Sequence, residues 1–191
     1  CAHAVASSAM LSSPARWFLT LLLCGALPVS DLAAQEPVPV LANGASEWTA
    51  VASHSWGVEI ANSTSGQRYV RQAVTWGHVL TDARGPGLLR GHFSWGIEFT
   101  PVFGLYEPER VYGFGVSPIA WRWSFASGGR LLPYAELAGG LLWTTRPVPV
   151  ETARFNFTAH AAAGLRIMAT PTQGLVLGYE LHHVSNGNRL Q

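Results

Sequence analysis

His183, Ser185 and Asn186, near the end of the chain, are residue types that hydrolyse esters when brought together. They lie in Gly178-Tyr179-Glu180-Leu181-His182-His183-Val184-Ser185-Asn186, which reads as a β-strand. Side chains two apart on a strand share a face, so His183 and Ser185 point the same way. A serine hydroxyl is a weak nucleophile until a base takes its proton, and His183 is the neighbouring base. The imidazolium that forms needs an acid to orient and stabilise it. The tetrahedral oxyanion needs donors, for which the Asn186 amide and the Gly187 N–H are candidates. This scheme calls for no metal and no cofactor. His182 falls on the opposite face and is not assigned the base role. Leu175, Leu177, Tyr179 and Leu181 lie below the pair on its own face, so an apolar substrate is expected.

The elements that position the pair are read from alternation. Phe93, Trp95, Ile97 and Phe99 alternate with Ser94, Gly96, Glu98 and Thr100. Phe155, Phe157, Ala159, Ala161, Ala163, Leu165 and Ile167 alternate with Asn156, Thr158, His160, Gly164 and Arg166. Strands are predicted near 47–60, 67–81, 89–102, 111–125, 130–143, 154–168 and 173–186, with a phase change near Ser117-Pro118 that suggests a bulge. Turn residues separate them, as in Ala126-Ser127-Gly128-Gly129 and Thr170-Pro171-Thr172. Runs of about 12–15 residues exceed the roughly 9–11 that cross a bilayer at a tilt. Strands of soluble proteins average about 5–6.

Composition points the same way. The chain is 48% hydrophobic and 12% charged, against about 25% charged in a soluble domain. The polar face carries both signs, Glu98, Glu136 and Glu180 with Arg122, Arg154 and Arg166, which suits pairing inside a narrow barrel. Seven tryptophans past residue 17 fit interfacial girdles. A soluble lipocalin-like barrel would alternate too, but would bury its apolar face. The expected fold is therefore all-β, an antiparallel up-and-down transmembrane barrel of about eight strands. Seven are visible, so the last is expected to be missing and the barrel (47–191) incomplete. The net charge of +1 offers nothing to nucleic acid.

Residues 10–34 read as a signal peptide, with Arg16, an apolar run from Trp17 to Leu27 and small residues at 33–34. Residues 1–9 precede the first methionine and read as an upstream non-native segment, and 35–46 as a linker. Both cysteines, Cys1 and Cys24, precede the cleavage point, which excludes a disulfide framework and thiolate metal sites. His54, His78, His92 and His160 show no shared ligand spacing, so no metal site is expected. If the chain enters from the periplasm, the turns at 126–129 and 169–172 are periplasmic, and segments 103–110 and 144–153 are external loops. His183 and Ser185 then sit at the outer end of their strand, facing lipid.

With these residues in place, the chain resembles the lipid A 3-O-deacylase (PagL-type) family of outer-membrane barrels. The match is His183-Val184-Ser185-Asn186 at the end of an apolar strand, followed by Gly187 and Asn188, near the end of a barrel-like pattern. The resemblance implies Ser185 as nucleophile, His183 as base and Asn186 in the oxyanion hole. It implies hydrolysis of the 3-O-linked acyl ester of lipid A, in the outer membrane of a Gram-negative bacterium. Lipopolysaccharide and membrane lipid are the implied partners, with a homodimer as one oligomeric option. The family places its triad acid on the strand after the motif. No Asp or Glu follows Ser185 here, so little activity is expected of the chain as it stands. The alternatives from other classes are a non-catalytic outer-membrane barrel in adhesion, stress or permeation, and a soluble secreted esterase.

Overall fold

The computed structural model describes residues 2–6, 41–57, 68–107, 109–148 and 153–185. They form eight strands: β1 (Ala2–Ala6), β2 (Ser46–Gly57), β3 (Arg68–Val79), β4 (Gly91–Glu107), β5 (Val111–Phe125), β6 (Leu131–Thr144), β7 (Phe155–Met168) and β8 (Gly174–Ser185). The only described helix is a single 3₁₀ turn at Gly87–Leu89. No described helix is long and apolar enough to cross a membrane. From β2 to β8 each strand pairs antiparallel with the next. This is the all-β, up-and-down meander read from the alternation.

The structure differs at the seam. Residues 2–6, expected to lie outside the fold, pair with β2 on one side and β8 on the other and close the ring. The physical reason is the open edge. Unpaired N–H and C=O groups on β2 and β8 are costly in lipid, and a short extended segment satisfies part of each row. β1 has only five residues, so it covers only part of the seam.

A second difference is β4, which runs through Glu107 where an external loop from 103 was expected. A register shift between Thr100 and Phe103 turns Phe103 and Leu105 inward, where both are buried. The phase change at Ser117-Pro118 is a register shift between Val116 and Ile119. Gly164 of β7 and Gly178 of β8 are register partners. A Cβ on Gly164 would fall 2.1 Å from the Leu177 carbonyl oxygen, so only glycine fits there.

The two faces are reversed relative to a water-soluble domain. The outer face exposes Trp48, Ile97, Phe99, Trp121, Leu137 and Leu165 among many other large apolar side chains. The lumen buries Arg71, Glu98, Arg122, Arg166 and Glu180. That arrangement belongs in a bilayer, where apolar side chains meet lipid and polar ones pair within. Two ionic layers fill the lumen. In one, Arg71 bonds Glu98 at 2.8 Å and also bonds Glu180. In the other, nearer the short turns, Arg122 bonds Glu136 at 2.7 Å and Arg166 bonds Glu47 at 2.7 Å. At the opposite end Tyr69, Phe103, Leu105, Val111, Leu142, Val148 and Val184 pack into an apolar plug.

Candidate active site

The end of β8 carries the candidate residues. Burial alternates along it: Glu180, His182 and Val184 are buried, Leu181 and His183 are exposed, and Ser185 is half-buried. His183 and Ser185 therefore share the outer face, as the two-residue spacing requires. They stand at the end of the barrel opposite the turns at 126–130 and 169–173. Leu175, Leu177, Tyr179 and Leu181, all exposed, continue the same face downward. Asn186 and Gly187 lie outside the described residues, so the candidate oxyanion donors have no described geometry.

Register supplies the surroundings. Ser185 pairs with Phe157 of β7, and His183 pairs with Ala159. On the other side His183 pairs with Ala2 of β1. Neither residue flanking His183 in register is a carboxylate. Phe157 ends an aromatic row in which Phe114, Trp143, Phe155 and Phe157 meet in succession, with centroids 4.9 to 5.7 Å apart. The pair thus sits beside an aromatic belt at one rim of the apolar face, where such rings mark a membrane–water boundary.

A family model described as lipid A 3-O-deacylase (PagL) matches residues 48–191. The chain belongs to that family. The match covers most of the chain, including every long strand and the motif at its end. No curated protein and no solved structure matches the chain. Members of the lipid A 3-O-deacylase family are outer-membrane barrels that remove an acyl chain from lipid A, so the reversed faces and the hydrolytic residue types have one common explanation.

His182, excluded as a base by strand parity, is 4% exposed and points into the lumen. Its Nδ1 lies 2.9 Å from the Glu180 carboxylate. The structure also brings His160 to it: the two are register partners on β7 and β8, with ring centroids 5.7 Å apart. The spacing of 22 residues matched no ligand motif, so the pair was missed and no metal-type cluster was expected. Its signal is cross-strand. His160 and His182 are both on the polar face of adjacent strands, and only the register of those strands makes them neighbours. His54 and His78 lie on β2 and β3, with Tyr106 and Ser46 as their respective bonding partners, and His92 contacts the Thr81 carbonyl.

Proposed function

We propose that this chain hydrolyses the 3-O-linked acyl ester of lipid A in the outer leaflet of a Gram-negative outer membrane. Ser185 is the nucleophile and His183 the general base. The observation that carries this reading is the shared outward face of the two residues at the rim of an apolar barrel surface. A lipid ester lying in the leaflet reaches that face without entering the lumen. His183 takes the Ser185 proton as the hydroxyl oxygen attacks the ester carbonyl. The tetrahedral oxyanion is held by the Asn186 amide. His183 then returns the proton to the departing 3-hydroxyl of the glucosamine, leaving an acyl-serine. Water, activated by the same imidazole, releases the fatty acid.

The reading as a permeation barrel has less support. The plug and the two ionic layers fill the lumen, and the cavity lined by Arg71, Glu98 and His182 has room for about one water molecule.

The test is expression in a lipid A-producing host followed by mass spectrometry of extracted lipid A. The wild-type chain is expected to remove one 3-hydroxyacyl chain from a fraction of the lipid, and the Ser185→Ala variant none. Identical lipid A from both, with each protein folded in the outer membrane, overturns the reading.

A further inference from the structure

Beyond the aromatic belt the rim carries charge that proton transfer between Ser185 and His183 does not use. Arg110 immediately precedes β5, Arg146 follows β6 by two residues, and Arg154 immediately precedes β7. All three are exposed. Each lies rimward of the belt residue on its own strand, which is Phe114, Trp143 or Phe155. Arg154, expected from parity on the lumenal face, is exposed where its strand begins.

Bonds to the main chain hold the three positions together. The Thr144 N–H donates to the Arg154 carbonyl at 2.9 Å, and the Thr144 hydroxyl donates to the Arg146 carbonyl at 2.7 Å. The Thr145 N–H donates to the Tyr112 carbonyl at 2.7 Å, and the Tyr112 N–H donates to the Thr145 hydroxyl at 3.1 Å. The end of β6 is thereby fixed beside the start of β5, two residues from Arg110. The charges do not cancel. Arg110 and Arg154 form no ion pair among the described residues. Arg146 meets Glu109 at 3.5 Å, with both side chains more than half exposed, and a surface pair of that kind contributes little. Three positive charges against one negative leave two positive. Farther along the rim Arg68 and Glu107 pair at 3.3 Å and offset each other.

We propose that Arg110, Arg146 and Arg154 form a binding site for a phosphate group on the sugar headgroup of the lipid A substrate. The identity of the ligand rests on the lipid A reading above. Lipid A is a phosphorylated glucosamine disaccharide, with its acyl chains in the apolar layer and its phosphates among the headgroups. The aromatic belt marks the boundary between the two. Ser185 pairs with Phe157 at the end of that belt. Arg154 lies three residues farther out on the same strand as Phe157, about 10 Å away at the usual rise per residue. An ester carbonyl at Ser185 therefore leaves the sugar and its phosphates on the arginine side. The planar fork of a guanidinium matches phosphate oxygens with two parallel hydrogen bonds. A phosphate held there fixes the orientation of the sugar, and so selects which of its esters meets Ser185.

The test is binding without turnover, read on the full chain carrying Ser185→Ala and folded in neutral detergent micelles. Energy transfer from its tryptophans to a dansyl-labelled lipid A reports the affinity. Lipid A with its phosphates is expected to bind about a hundredfold more tightly than the same lipid after phosphatase treatment, at about fivefold for each arginine near anionic headgroups. Adding Arg110→Gln, Arg146→Gln and Arg154→Gln together should erase that difference by weakening the phosphorylated lipid alone. Lysine at the three positions should keep most of it. Arg90→Gln, at the opposite rim, should leave it intact. Equal affinity of the parent chain for the two lipids overturns the proposal, as does a folded triple glutamine variant that keeps the preference. Inorganic phosphate that binds as tightly as the lipid would mark a free-anion site and overturn the assignment to substrate. Mass spectrometry of lipid A exposed to the wild-type chain separates the two readings. A phosphate preference without any cleavage sinks the hydrolysis and leaves the arginine site standing.

Discussion

Alanine at His183 is expected to lower deacylation by about 10²-fold per folded molecule, what remains of a triad's roughly 2 × 10⁶ once the roughly 3 × 10⁴ of its acid is absent. In the well-studied serine hydrolases, losing the base costs about as much as losing the nucleophile, because the two act as one unit. The control is His78→Ala, an outer-face histidine at the other end of the barrel, which should leave the rate unchanged. Both are measured on a synthetic lipid A in mixed micelles, normalised to the folded fraction seen by gel mobility without heating. A His183→Ala rate equal to wild type sinks the assignment. Register adds a test in the opposite direction. His183 is flanked by Ala159 and Ala2, so neither register partner brings a carboxylate to the imidazolium. Directly opposed residues on antiparallel strands have Cβ atoms about 4.5–5.5 Å apart. Ala159→Glu therefore brings a carboxylate within reach of the ring. It is expected to raise the rate by about tenfold or more, below the roughly 10⁴-fold that a triad acid is worth in serine proteases. A carboxylate near the interface costs the barrel little.

Parity made much of this legible. Strand side chains alternate with period two, so the outward placement of His183, Ser185 and Leu181, and the inward placement of His182 and Glu180, follow from position numbers alone. The same parity places Glu98, Arg122 and Arg166 in the lumen. It does not say which charges pair, since Arg71 and Glu180 are 109 residues apart in sequence. That pairing depends on the ring closing. Parity also fails at bulges. Across Pro101 and Val102 the chain shifts register, so Phe103 and Leu105 pass from the apparent outer face into the plug. The result is an apolar segment that does not alternate and reads as a loop. Short strands are illegible for another reason. Ala2–Ala6 carries no periodic signal, and the open edges it pairs with belong to the assembled sheet rather than to any local stretch.

Arg71→Met is expected to destabilise the barrel by about 3–5 kcal/mol, the usual cost of removing one partner from a buried ion pair. Arg71 is the guanidinium of the upper ionic layer, 3% exposed, and it holds two carboxylates at once. Without it Glu98 loses the side chain that neutralises it, and Glu180 keeps only His182. Around both lies protein and, beyond the wall, lipid, so neither charge recovers its hydration. The pair itself need not be a net gain, because desolvating an ion pair offsets most of its attraction. One consequence follows that a packing defect would not give. The double variant Arg71→Met/Glu98→Met, which removes the orphaned charge along with its partner, should recover a large part of the loss. Urea-induced unfolding in vesicles, followed by tryptophan fluorescence, measures all three proteins. If the double variant is no more stable than Arg71→Met, the lumenal charges act as spacers rather than as a coupled network.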